Sequence, residues 1–392
     1  MKTVRLELPL LLAVFLDLLG WGMLVADVQL RAEAMMPKGW PTGPVIGMLL
    51  ASTFVVQTIV SPRWGSLSDR VGRKQVLIAC SLLSASAMFV YGFSTDLWLL
   101  ALSRLLSGLG AANVAVAQAV LADRYEGSDR AAALGRLGAA LSTGLVMGPV
   151  IGGITVHYAG HEFLGRLAGT FSLAGALAIW IMVPKSELRV ATEKPKQSFA
   201  GLGLLKDIPT LRPLVIIATV AWFSLATLEG TFARLIKHFF GYGQLHFGAI
   251  FGYESLVGIV VQGVVLTWLL SKIPQTKLLR GAYVFQGLGL ALNPLAGIFM
   301  PLVPPIGMLF VASSFYAVGS SVANPTVNSL CSKLAPDNRQ GELFGLMQGT
   351  RSIGFVIGPI LGGAMFDWHP AAPYVLAGVV CLVAAILVPP IE

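Results

Sequence analysis

Charge is what this 392-residue chain has least of. Asp, Glu, Lys and Arg together make 12% of it against 55% hydrophobic residues, and its mean hydropathy is +0.77. So little polar surface cannot coat a water-soluble globule of this size, so the solvent is lipid. Histidine (5) and cysteine (3) are scarce as well. Cys80, Cys331 and Cys381 fall in apolar stretches without metal-ligand spacing and read as small buried hydrophobes, so no metal site is expected. Gly-x-Ser-x-Gly, His-Glu-x-x-His and a Gly-Lys-Ser/Thr phosphate loop are all missing, and His161-Glu162 is not followed by the second histidine. Enzymatic chemistry, ATP as an energy source and a bound cofactor are therefore not expected.

Long apolar runs are what the chain does have. A membrane span needs roughly 20 mostly apolar residues. Twelve such runs are found, at about 8–28, 44–62, 75–94, 97–122, 131–158 and 163–184, then at about 211–232, 247–270, 278–299, 303–328, 343–367 and 372–390. Lys2 and Arg5 ahead of the first run have the shape of a signal peptide ending near Ala26. Asp17 interrupts that run and further spans follow, which favours a retained first helix.

The net charge of +8 is distributed as a membrane protein distributes it. If the N-terminus is inside, 20 of the 27 Lys and Arg fall on the cytoplasmic side, and Arg31, Lys38, Arg166, Arg234 and Lys237 on the other. The positive-inside rule then puts both termini in the cytoplasm, with the basic loops facing anionic headgroups of an inner membrane and not nucleic acid.

One pattern occurs twice, 210 residues apart: Gly135-x8-Gly144-x3-Gly148-Pro149-x2-Gly152-Gly153 and Gly345-x8-Gly354-x3-Gly358-Pro359-x2-Gly362-Gly363. Gly108 and Asn113 have matching partners in Gly319 and Asn324. The expected fold is all-α and integral to the membrane, with twelve transmembrane helices in two pseudo-symmetric six-helix bundles. Residues 1–184 form one bundle, 185–210 a cytoplasmic linker and 211–392 the other. The end of the linker, Phe199 to Leu205, is expected along the membrane surface as a short amphipathic segment. Parallel repeats of this kind place a substrate site near the midplane and work by alternating access.

Gly144, Gly148 and Gly152 recur every four residues, so they share one helix face and admit another backbone closely. Pro149 lacks an N–H and bends the helix. Gly354, Gly358, Pro359 and Gly362 repeat the arrangement, and the pair reads as two pivots. Between the second and third spans, Gly65-Ser66-Leu67-Ser68-Asp69-Arg70-Val71-Gly72-Arg73-Lys74 reads as a tight turn with an acid among cations.

With these motifs, the chain resembles a twelve-span major facilitator superfamily member, specifically the drug:proton antiporter branch that includes the tetracycline efflux pumps. Gly65 to Lys74 matches the superfamily's signature loop. Arg104-Leu105-Leu106-Ser107-Gly108-Leu109-Gly110-Ala111-Ala112 resembles the helix 4 motif, and Gly135 to Gly153 the antiporter motif. Leu16-Asp17-Leu18-Leu19-Gly20-Trp21-Gly22 resembles the branch's helix 1 element, although Val25-Ala26-Asp27 stands where a proline is usual. The resemblance implies a proton-coupled antiporter exporting a hydrophobic or amphipathic small molecule, driven by the proton gradient and working as a monomer among membrane lipids. A symporter, a transporter of a lipid-like metabolite and a non-transporting membrane receptor or enzyme are the competing readings. The signature loop, through Gly65, Asp69, Arg70, Gly72, Arg73 and Lys74, is expected to latch the cytoplasmic side, with Asp69 near helix 11 and Arg130. In relatives the glycine helices pack helix 5 against helix 8 and helix 11 against helix 2, and Gly148 and Gly358 are expected at those contacts.

Charges within spans cost about 2.5–3.5 kcal/mol each on insertion scales and so point to function. Asp17 and Arg104 are expected to meet as a proton-carrying pair, with Glu229 and Glu254 as further titrating groups toward the outer ends of their helices. Arg351 is expected to extend toward the inner surface. Trp21, Gln57, Asn113, Gln118, Trp222, Tyr253, Gln262, Gln286 and Asn324 are the candidate substrate contacts.

Overall fold

The computed structural model describes residues 4–125, 127–183, 201–296, 304–336 and 339–390, and the linker up to residue 200 lies outside them. Everything described is helix or short connection. The helices are α1 (Val4–Ala34), α2 (Thr42–Val71), α3 (Arg73–Phe93), α4 (Leu97–Gly110), α5 (Asn113–Arg124), α6 (Gly127–Met182), α7 (Gly201–Asp207), α8 (Leu211–Phe240), α9 (Gln244–Val260), α10 (Leu266–Lys272), α11 (Gln275–Leu295), α12 (Pro305–Leu334), α13 (Gln340–Trp368) and α14 (Ala372–Leu387). A π turn, Val261–Val265, joins α9 to α10, so the two make one bent rod. The α4 and α5 rods are likewise separated only by Ala111 and Ala112. Gly160, at φ 79, breaks α6 into two helices where a turn between the fifth and sixth spans is expected. Counted as rods, and leaving out the short α7, the described residues form twelve helices, eight stretches of which are long and apolar enough to cross a membrane.

Two compact units emerge. Of the described residues, the first gathers 4–39, 49–183 and 243–248, and the second gathers 40–48, 201–242 and 249–390. In the first, α1 lies along α6, and α3 packs on both α6 and α4. Its core runs through Leu10, Val14, Leu77, Cys80, Val116, Ala117, Leu121 and Ile179, all essentially inaccessible. In the second, α8 lies along α13, and α11 packs on α12 and α14. The internal repeat is thus visible as the same neighbour pattern within each unit, because identical glycine spacing allows the same close pairing of long helices.

One local expectation is corrected. The stretch Gly65 to Val71 is helical, not a turn, since α2 continues to Val71; only Gly72, at φ 103, reverses the chain. The polar residues of that stretch favour leaving the membrane, and nothing in them stops backbone i to i−4 bonding until the glycine. The end of the linker is described from Gly201 and is docked on the second unit; Phe199 and Ala200 lie outside the described residues. α7 packs on α13, buries Leu204 completely, and Asp207 pairs with Arg339 at 2.7 Å.

Candidate functional site

In the first unit, Asp17 is buried on α1. Its Oδ2 accepts from the Asn113 amide of α5 and from Ser81 Oγ of α3 at 3.2 Å, and the Ser172 hydroxyl of α6 also faces the carboxyl. No cation pairs with it among the described residues. The expected Asp17–Arg104 pair is therefore absent, because the two residues belong to different tiers along the rods. Asn113, which reaches Asp17, is nine residues beyond Arg104 on the α4–α5 rod, or about 13 Å at helical rise.

Arg104 instead serves a tier built around Asp27, ten residues or about 15 Å further along α1 than Asp17. Asp27 is completely buried and is the meeting point of four elements. The Tyr91 hydroxyl of α3 donates to Oδ2 at 2.5 Å. Oδ1 lies 2.6 Å from His161 Nδ1 of α6 and accepts from Gln244 Nε2 of α9 at 3.0 Å. Arg104 and Arg31 each place their guanidinium carbon 5.0 Å from the centre of the Tyr91 ring, an arrangement in which cations favour the ring face. Arg31 also donates to the carbonyls of Tyr91 (2.8 Å), Gly92 (3.4 Å) and Ser94, so it caps the end of α3 where carbonyls lack helical partners. Sequence reasoning registered Asp27 only as a departure from a proline. A signal was present all the same: Asp17, Asp27 and Arg31 stand at i, i+10 and i+14, which keeps them near one stripe of a helix.

The signature stretch forms its own charge cluster. Arg73 holds Asp69 at 3.3 Å and Asp123 of α5 at 2.7 Å, so the cation on Asp69 is Arg73 and not Arg130, which is exposed. Lys74 caps the end of α6 by donating to the Trp180 carbonyl at 2.7 Å and to that of Val183. Because Asp69 is half-exposed, Asp69→Asn is expected to cost under about 1 kcal/mol. Arg73→Ala should cost more, since it leaves two carboxylates facing each other; melting of the purified protein in detergent measures both, and equal losses would contradict the shared role of Arg73.

In the second unit Glu229 is within electrostatic reach of both Arg351 and Glu254. Glu229 is eleven residues from the end of α8 and Glu254 ten from the start of α9, each about 15–17 Å deep. Both are thus deep residues and not rim residues. Arg351 does not extend toward a surface: its guanidinium lies 5.4 Å from the Trp222 ring and 5.6 Å from that of Phe355. Tyr316 feels both carboxylates and bonds the amide of Gln286, which is completely buried beside it.

The remaining candidates scatter. Gln57 donates to the Ala111 carbonyl at 3.3 Å, closing the gap between α4 and α5. Trp21 packs edge-on to Phe54 at 6.0 Å. Tyr253 bonds Ser314 at 2.7 Å and packs on Phe310. Gln118 is exposed, Gln262 is exposed within the π turn, and Asn324 is half-buried beside Pro325.

Gly148 and Gly358 do not stand at the contacts expected of them. A methyl group built on Gly148 would lie 2.7 Å from the Gly22 Cα, and Gly144 and Gly152 face the α1 carbonyls of Phe15 and Met23. Gly354, Gly358 and Gly362 likewise face α8, from Trp222 to Thr231. It is Pro149 and Gly153 that meet the first turns of α9 at Gly248 and Gln244, and Pro359 and Gly363 that meet α2 at Gly47 and Gly43. Positions 149 and 153 lie about 100° round the helix from 148 and 152, so one glycine motif serves two neighbours. Asp367 adds a polar tie, accepting from the Gly43 N–H at 2.6 Å and pairing with Arg234 at 3.1 Å.

Twelve apolar rods, two units with one internal plan and ionisable groups held at mid-depth define a membrane carrier. The chain belongs to the Major Facilitator Superfamily, whose model matches residues 10–299 and 288–391. It is a multi-pass secondary transporter and not an enzyme. Among curated proteins it is 26% identical to "Multidrug resistance protein 2" of Bacillus subtilis (strain 168), over 95% of this chain and 92% of that one. It is 29% identical to "Tetracycline resistance protein, class B" of Escherichia coli, over 82% and 79% of the two chains. "Quinolone resistance protein NorA" of Staphylococcus aureus (strain MRSA252) is 25% identical, over 96% and 93%. Among solved structures, nucleoside transporter NupG (D323A mutant) superposes with a TM-score of 0.78 over 97% of this chain and 98% of that one, at 15% identity. The human organic anion transporter MFSD10 does so at 0.68 over 98% and 99%, at 20% identity. These likenesses concern the fold.

Proposed function

We propose that the protein is a proton-driven antiporter that exports hydrophobic or amphipathic small molecules, preferentially cations, across a bacterial inner membrane, with both termini in the cytoplasm. The observation that carries this reading is Asp17, a buried carboxyl held by amide and hydroxyl donors with no cation opposite. Neutral donors of this kind do not fix its charge state, so it is suited to take up and release a proton. Glu229 and Glu254, with Tyr316 within their reach and Trp222 beside Arg351, supply negative charge and aromatic surface for the substrate. Arg351 keeps part of that charge neutral while the site is empty. The names of the curated relatives, resistance proteins for several drug classes, favour export over uptake. The resemblance to antiporters through Gly135 to Gly153 points the same way, with Pro149, Gly153, Pro359 and Gly363 as the contacts that shift during exchange.

The test is flux in proteoliposomes. An imposed pH difference should drive uptake of a fluorescent organic cation by wild-type protein, with proton movement in the opposite sense. Asp17→Asn keeps the shape and the hydrogen bonds yet cannot titrate, and should lower pH-driven flux by at least about tenfold, equivalent to roughly 1.4 kcal/mol. Full pH-driven flux by that variant would refute the role of Asp17, and proton movement in the same direction as the substrate would make the protein a symporter.

A further inference from the structure

The tier around Asp27 has no part in the scheme above, and its geometry is that of a second protonation site. His161 Nδ1 lies 2.6 Å from Asp27 Oδ1. Gln244 Nε2 can only donate to that oxygen, and the Tyr91 hydroxyl donates to the other, which is the hydrogen-bond set of a carboxylate. A carboxylate only accepts, so His161 must carry its hydrogen on Nδ1, and Nε2 is left with its lone pair. The two partners also differ in access: the side chain of Asp27 is 1% exposed and that of His161 45%. His161 directly follows Gly160, the break in α6, at the end of the unit away from the N-terminus of α1. The imidazole thus opens to the exterior of the unit, while its charge partner stays sealed among α1, α3, α6 and the first residue of α9.

We propose that Asp27 and His161 form a proton-binding pair, distinct from Asp17, that receives the coupling proton from the side of the membrane opposite the N-terminus. A hydronium ion gives its proton to His161 Nε2. Nδ1–H stays on Asp27, and the pair passes from a net charge of −1 to 0 with no other bond made or broken. The groups facing the pair are Arg31 from α1, Tyr91 from α3, Arg104 from α4 and Gln244 from α9. The two cations stand over the Tyr91 ring, with Arg104 also within electrostatic reach of Asp27, and the direct hydrogen-bond partners of Asp27 are the Tyr91 hydroxyl, the imidazole and the Gln244 amide. Neutralising Asp27 by an imidazolium weakens its demand on the Gln244 amide at the first residue of α9, the helix that Gly153 and Pro149 touch. Proton arrival is thereby linked to a contact beside the α6 glycines. The transport role rests on the proton-driven reading above; proton binding by the pair does not.

Two measurements separate these. In pH-jump infrared difference spectra of purified protein with ring-labelled histidine, an imidazolium band should form on acidification, vanish in His161→Gln and weaken in Asp27→Asn. Absence of a band belonging to His161, or its indifference to Asp27→Asn, overturns the pair as a binding site, whatever the transport mechanism. In proteoliposomes, cation export by wild type at a constant pH difference should vary with external pH. His161→Gln, which keeps a donor toward Asp27, should flatten that profile. A wild-type profile in this variant overturns the role in loading. If wild-type protein moves no protons at all, the antiporter reading fails and the infrared result alone decides the site.

Discussion

Leucine at Gly148 is expected to prevent the first unit from packing, and so to lose the folded protein rather than merely the transport cycle. Each added methylene would point at the α1 backbone from Phe15 to Met23, where Gly22 itself offers no side chain to move aside. Overpacking of a core that can relax costs typically about 1–3 kcal/mol, and a clash between two backbones has less room to relax, so a loss above about 3 kcal/mol is expected. Gly354→Leu should do the same against Trp222 and Phe223 of α8. Gly263→Leu is the control, because a side chain there meets open space. Yield and monodispersity in detergent read the outcome. Well-folded Gly148→Leu protein that has only lost exchange between states would mean that α1 and α6 separate during the cycle.

Neutralising both deep carboxylates of the second unit is expected to abolish export of organic cations while sparing neutral substrates. Glu229→Gln with Glu254→Gln keeps volume and hydrogen bonding but removes the charge that would hold a cation in a poorly hydrated site. There a single desolvated pair contributes a few kcal/mol, enough for a more than about tenfold loss. It also leaves Arg351 without its carboxylate, so an anionic analogue should gain affinity. Flux of matched cationic, neutral and anionic dyes distinguishes the outcomes. Equal loss for all three would assign the carboxylates to proton transfer or to stability instead of substrate charge.

Much of this protein is legible in its composition and spacing. Low charge and long apolar runs leave helices as the only structure whose backbone can be satisfied in lipid. The sequence repeat requires that whatever Gly144 to Gly153 does, Gly354 to Gly363 does as well, and the structure shows the same pairing, α1 with α6 and α8 with α13. Which charges would fall within spans was also readable, since Asp17, Arg104, Glu229, Glu254 and Arg351 interrupt apolar runs, but of these only Asp17 and Arg104 are fully buried. Side-chain partnership was not. Asp17 and Arg104 look like a natural pair in sequence, yet a helix advances about 1.5 Å per residue, and the register of α1 against the α4–α5 rod sets Asn113 beside Asp17 and Tyr91 between Arg104 and Asp27. Asp27 gains its meaning from Tyr91, His161 and Gln244, residues 64, 134 and 217 positions away, at separations no local pattern encodes. Periodicity specifies the face a residue occupies and its depth within a span. Only the packed rods decide which face of which neighbour lies opposite, because that depends on how every helix of the unit shares the same limited volume.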